Sequence, residues 1–383
     1  MGGLGQRLRQ ARTTAGVSLA AMASRTHYSK PYLSQLENGT RAVLPAHVIA
    51  YSRCLDVAVA ALCGPHHDPL RVAHEWLVAD TPGSVHRAAG RRIGESLVAE
   101  LEQRVVRLRH LDDTVSGGDL LPLARRELAD VEDVVHAATY TEATGRRLLV
   151  VVGELSQLVG WIAGDAGNYV QAQNIYLSGV AAAETAGDRT LAAQLLSTLS
   201  YQMATVGNPT DAALLAKTAV RGAPEASPVA KALLLERVAW ASARSRDPQA
   251  THRALDAVDD AYAARSASVE EPHWVYWMSR GEIDVMAGRC LIELGDPARA
   301  APLLTAAIAD YDTTFAREVA LYRTWLAESF ARTGEVDQAR TMIEKARAAA
   351  DGLHSARLGR RVEEIDDLIR QCSTRGPATA PPG

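Results

Sequence analysis

The chain is 383 residues long, 47% hydrophobic yet only 5% aromatic, with a formal charge of −4 at pH 7. That length exceeds one ordinary compact core, and apolar content carried by Ala, Leu and Val rather than by β-branched and aromatic residues disfavours sheets. The charge is uneven: residues 1–60 hold seven Arg and Lys against Glu37 and Asp56, so a head of +5 precedes a remainder of −9, the asymmetry of a phosphate-binding module joined to a non-binding body.

Leu4, Leu8, Ala11 and Ala15 recur at helical spacing, predicting an amphipathic helix over 5–15 that Gly16 ends. Ser18 is a good N-cap for a second helix to Arg25, with Leu19, Met22, Ala23 and Thr26 inward. Ser29 caps a third, Lys30 to Glu37. There Pro31 sits in the first turn, where its missing N–H costs no hydrogen bond, and Gly39 supplies a left-handed stop. Leu33 and Leu36 then point inward and leave Lys30, Pro31, Ser34, Gln35 and Asn38 to solvent. A fourth helix from Pro45 to about Leu55 and a short fifth from Val57 to Cys63 complete a five-helix unit over 1–63.

Two short helices joined by a few residues, the second polar on one face, form the helix-turn-helix pattern. The segment LGQRLRQARTTAGVSLAAMASRTHYSKPYLSQLENGTR resembles the Cro/C1-type (XRE-family) helix-turn-helix domain, and HYSKPYLSQLENG is especially similar to actinomycete versions. An Arg bias, with only four Lys among 41 basic residues, agrees with such a source. The resemblance implies base-edge contacts from Lys30, Pro31, Ser34 and Gln35, with Tyr32 as an extra, and phosphate contacts from Asn38, Thr40 and Arg41. It also implies a buried Arg12–Glu37 ion pair. Two positions depart from the pattern: His27 stands where the turn often has Gly, and Leu19 replaces a polar phosphate-contacting residue.

Pro65, Pro69 and the TPGS at 81–84 mark a linker over 64–90 with a short helix near Leu70–Val78. Residues 91–371 then read as helices, and five copies of one pattern recur. These are Gly160, Gly167, Ala172, Tyr176, Gly179; Ser200, Gly207, Ala212, Ala216, Ala219; Ala239, Arg246, Thr251, Leu255, Val258; Gly288, Gly295, Ala300, Leu304, Ala307; and Ala327, Gly334, Ala339, Ile343, Ala346. The register positions 172, 212, 251, 300 and 339 lie 40, 39, 49 and 39 apart, the long step containing the insertion RSASVEEPHW. The array resembles tetratricopeptide repeats, stretched from their usual length. Poorly patterned helices over 91–141 precede it, a capping helix follows over 353–370, and residues 372–383 read as a disordered tail. The expected fold is therefore all-α, a helix-turn-helix domain followed by a tetratricopeptide-like α-solenoid.

Repeat superhelices offer concave binding surfaces rather than chemistry. The candidate ligand-binding residues are Trp161, Tyr201, Trp240, Tyr276, Trp277, Arg280 and Trp325, although large aromatics in an Ala-rich array also fill gaps between helix pairs. Head and body together are similar to the peptide-pheromone regulators of low-GC bacteria. Those clamp peptides with helix-borne Asn, and here only Asn174 lies in a predicted repeat helix. That count disfavours a peptide ladder, and a small-molecule, peptide or protein effector, or none at all, stays open.

There is no G-x-S-x-G, no H-E-x-x-H and no Gly-rich phosphate loop. Four cysteines lack C-x-x-C spacing, and His66-His67 reads as a loop, so neither an enzyme nor a metal or cofactor protein is expected. No stretch of the roughly 18 apolar residues of a membrane span is evident, and the start MGGLGQRLRQ lacks a signal core, which reads as cytoplasmic. The expectation is a transcriptional regulator that binds double-stranded DNA as a homodimer, with the repeats mediating dimerisation and effector sensing. The alternative is an interaction scaffold whose repeats hold a protein partner.

Overall fold

A computed structural model describes residues 4–26, 28–41, 43, 47, 50–51, 54–55, 57, 93–114, 117–311, 316–350 and 355–374. The chain divides into two compact units, Met1–Glu75 and Trp76–Gly383. The described residues form sixteen α-helices and one 3-10 turn, with no sheet, so the all-α expectation holds.

In the first unit α1 spans Leu4–Thr14, α2 Leu19–Arg25 and α3 Lys30–Glu37. Leu8, Met22, Leu33, Leu36 and Tyr51 form its buried centre. Ala15 is exposed beyond the end of α1, because the chain has already turned at Gly16, where φ is +67°. The Ser18 hydroxyl accepts from Ala21 N at 3.1 Å and that of Ser29 from Tyr32 N at 3.4 Å, each satisfying one otherwise orphaned helix donor. Residues 47, 50–51 and 54–55 are helical, within the expected fourth helix. His27, the rest of the fourth and fifth helices, and the linker with its short helix lie outside the described residues.

The second unit begins with α4 (Glu95–Thr114) and α5 (Gly117–Ala137). Five antiparallel hairpins follow, and each coincides with one sequence copy. They pair α6 (Glu142–Asp165) with α7 (Tyr169–Ala186), α8 (Arg189–Val206) with α9 (Pro209–Gly222), and α10 (Pro228–Arg244) with α11 (Pro248–Ala263). The last two pair α12 (Arg280–Glu293) with α13 (Pro297–Asp310) and α14 (Ala316–Thr333) with α15 (Val336–Ala350). A final helix, α16 (Ala356–Thr374), packs on α14 and α15. It carries Cys372–Thr374, which sequence assigns to the tail; 375–383 lie outside the described residues.

The small residues of the repeat stand where helices approach closely. A Cβ on Gly160 would lie 2.4 Å from the Tyr176 ring, and one on Gly288 2.9 Å from Leu304 Cγ. The turn position is left-handed in four of the five copies, including Arg246 at φ +58° in the copy without glycine. Gly207 differs, with φ −130°; there Asn208 caps α9 and Pro209 opens it.

Among the described residues one helix, α6, is long and apolar enough by length and composition to cross a membrane, contrary to the sequence reading, but 72% of its apolar window is buried inside the body. A helix apolar on all sides also suits the centre of a large helical array. The insertion before α12 is anchored: the Glu271 carboxylate accepts from Val229 N at 2.9 Å and from Ala230 N at 3.3 Å, at the positive end of α10.

The body closes on itself. Arg317 of α14 reaches Asp112 of α4 at 3.2 Å, Arg357 of α16 reaches Asp165 of α6 at 2.9 Å, and Tyr276 donates to Asp113 at 2.6 Å. α4 thus meets α14 and α6 meets α16, and the inner faces of the hairpins surround a space.

Candidate functional site

The head presents α3 on a locked scaffold. Arg12 holds Glu37 through two hydrogen bonds of 2.6 and 2.7 Å and donates to Val17 O at 2.8 Å, while Tyr51 donates to Glu37 at 2.8 Å. Both charges are buried, so removing one partner would strand the other. Gly5 of α1 lies so close to α3 that a Cβ would fall 2.1 Å from Leu36 O. Sequence reasoning singled out neither Tyr51 nor Gly5, though a glycine near the start of a helix was a visible signal.

On this scaffold Lys30, Pro31, Gln35, Asn38, Thr40 and Arg41 are exposed and Ser34 is half-buried. Thr40 donates to Gln35 O at 3.2 Å, and Asn38 both donates to Ser34 Oγ and accepts from Arg9. Tyr32 is more committed: its ring stacks on Tyr28 at 5.3 Å, its hydroxyl meets His47 Nε2 at 3.0 Å, and the Arg41 guanidinium lies 4.3 Å over it. Burial and Arg41 together lower the His47 pKa. Such an outward polar helix, braced from behind by an ion pair, has the form that enters a major groove.

Residues 4–61 match the family model described as "Helix-turn-helix domain". The chain therefore carries a helix-turn-helix DNA-binding domain at its N-terminus. No curated protein matches the chain closely enough to indicate a relationship.

Inside the body lies a chamber of about 640 Å³, within the range of small-molecule sites. Of the expected ligand residues, Trp161, Tyr201, Tyr276, Trp277 and Arg280 line it. Trp240 and Trp325 do not; they are 1% and 6% exposed and continue an aromatic file behind the wall. In that file Trp161 lies 5.8 Å from Tyr201, Tyr201 6.3 Å from Trp240, and Trp240 5.6 Å edge-on to Trp325. Arg280 is held by Asp259 and Asp284. None of Asn168, Asn174 and Asn208 lines the chamber, and Asn208 is spent on its own helix cap.

Sequence reasoning missed the arginines among these rings. Arg289 lies 4.3 Å over Trp240 and 4.8 Å over Trp325 and donates to the Tyr201 hydroxyl at 3.0 Å. Arg237 lies 4.7 Å over Tyr201, and Arg357 4.9 Å over Trp161. The signal was present in LLLERVAW (233–240), where Glu236 and Arg237 interrupt an apolar run on a buried helix. Burial raises the Tyr201 phenol, but Arg289, Arg357 and Arg237 outweigh it and bring the pKa down to about 8. Burial pushes Glu282 up to about 8 despite a hydrogen bond from Tyr322 of 2.5 Å, with Glu236 and Glu318 adding to the rise. Glu236 is also raised by burial, against Arg237 and Arg289.

Proposed function

We propose that this chain is a sequence-specific transcriptional regulator of the XRE type that binds double-stranded DNA as a homodimer, its tetratricopeptide-like body mediating dimerisation and holding an effector. The observation that carries the reading is the braced helix α3, whose exposed Lys30, Pro31 and Gln35 face away from the Arg12–Glu37 pair. Lys30 would donate to guanine O6 or N7 and Gln35 would pair with adenine N6 and N7. Ser34 would touch a base edge, Tyr32 would brace Arg41, and Asn38, Thr40 and Arg41 would hold phosphate. A homodimer would read half-sites about 10 bp apart. The chamber, with its five aromatic and cationic wall residues expected from sequence, supports the effector role.

Fluorescence anisotropy with DNA from upstream of the protein's own gene tests this at low salt. Specific binding that collapses in the double variant Lys30→Ala, Gln35→Ala while non-specific binding survives is the expected result. Equal affinity of wild type and variant for that DNA, or none in either, would remove the reading.

A further inference from the structure

The chamber wall around Tyr201 has guanidinium groups whose donors the protein itself leaves largely unpaired. Arg237 is 7% exposed and lines the chamber, yet among the described residues it makes no hydrogen bond; its ionic neighbour is Glu236 at 3.3 Å. Arg289, 5% exposed, gives one hydrogen bond to Tyr201, has no carboxylate within ion-pair distance among the described residues, and its Nε is unpartnered. An arginine this buried is normally met by a carboxylate with hydrogen bonds on its donors.

Most of the other charges on the wall are already engaged; Asp310, at the end of α13, is exposed. Arg357 is paired with Asp165, Arg317 with Asp112 and Glu318. Asp113 accepts from Tyr276, and Asp284 holds Arg280. Glu282 accepts from Tyr322, and burial pushes its pKa up to about 8. Among the described residues, Arg237 has one carboxylate within ion-pair distance, Glu236, and Arg289 has none. At Tyr201 the local balance is therefore positive, while the rest of the wall sets Asp112, Asp113, Asp284, Asp310 and Glu318 against Arg109, Arg280, Arg317 and Arg357; the positive end lies beside the rings of Trp161, Tyr201 and Trp277.

We infer that the chamber binds a small organic acid with one negative charge and a flat unsaturated body, its anionic group on Arg237 and Arg289 beside the Tyr201 hydroxyl. The flat part lies against Trp161 and Trp277. A dianion such as a phosphate monoester is disfavoured by the Glu236 carboxylate, and a cation at this end of the chamber by Arg237 and Arg289. At about 640 Å³ the chamber admits a body larger than a single ring. This inference rests on the effector role proposed for the body, and adds the chemical class of the ligand.

Isothermal titration calorimetry on the full chain with three matched probes tests it: 2-naphthoate, neutral 2-naphthamide and the cation 2-naphthylmethylammonium. The expected result is one 2-naphthoate per chain, bound at least about tenfold more tightly than the amide, with the ammonium weakest. Arg237→Met and Arg289→Met should bring 2-naphthoate to the level of the amide and leave the amide unchanged, with circular dichroism confirming the fold. Glu236→Gln should tighten 2-naphthoate. If the three probes bind alike on the wild-type chain, or none binds at millimolar concentration, the inference is overturned whether or not the arginine variants fold. Anisotropy without probe keeps the two readings apart: a chain that binds its DNA but not 2-naphthoate loses only the ligand class, and one that binds 2-naphthoate but not DNA loses only the regulator.

Discussion

Three titratable groups carry most of what single residues decide here. Glu37 is 2% exposed and accepts from both Arg12 and Tyr51, so Glu37→Ala leaves a buried guanidinium without its counter-charge. A loss of about 3–5 kcal/mol in the head is expected, read as an early thermal transition of that unit with the body's transition unmoved. In the chamber, Tyr201 is lowered to about 8 by Arg289, Arg357 and Arg237 against its burial. An ultraviolet titration should therefore find a phenolate step near pH 8 that Tyr201→Phe abolishes. Glu282 shifts in the opposite direction, up to about 8 through burial. The folded protein keeps this proton while the unfolded chain releases it near the ordinary carboxylate value, so its contribution is full at acid pH and is lost as pH rises toward 8. Thermal melts from pH 5 to pH 8 should fall more for the wild type than for Glu282→Gln; parallel curves would refute the assignment. Of these groups the sequence disclosed only the Arg12–Glu37 pair, through a family resemblance, because nothing in local spacing tells which carboxylates become dry.

The helices themselves were the most legible level. Caps at Ser18 and Ser29, the stop at Gly39 with φ +73°, and five repeat copies all correspond to structure, since each is set by neighbours within a few residues or by a repeated period. The register also gives a reason for its glycines. Gly160→Ala should cost about 1–3 kcal/mol by overpacking against Tyr176, and with Tyr176→Leu the two losses should sum to less than the separate costs. Denaturant unfolding of the four-member cycle checks this, and strict additivity would show that the contact is not shared. Where sequence and structure part, the cause is local. Ala15 falls outside α1 because Gly16 has already turned the chain, and α16 runs on to Thr374, where the Ser373 hydroxyl donates to Ile369 O at 2.8 Å.

For the body as a whole the decisive event is closure. Arg317–Asp112 and Arg357–Asp165 join the last helices to the first, and both pairs are shielded from water. Asp165→Ala should lower stability by about 3–5 kcal/mol, as removal of one member of a buried pair does, and should raise hydrogen exchange in α16 and α6 before the middle hairpins. Added salt should change this little, because ions screen buried pairs weakly. Exchange that rises evenly along the body would instead mean that the array does not depend on closure.

Sequence alone determined the all-α class, the helix-turn-helix head with its outward helix from Lys30 to Glu37, and the five-fold repeat. Each is written in composition, caps or period, which act over short stretches of chain. Only the tertiary structure decided that Trp240 and Trp325 lie behind the wall while Trp161, Tyr201 and Trp277 face a chamber, and that six arginines from α4, α10, α12, α14 and α16 surround it. Those residues lie as much as 248 positions apart, from Arg109 to Arg357. What brings them together is the curvature summed over successive hairpins, a quantity no single repeat contains.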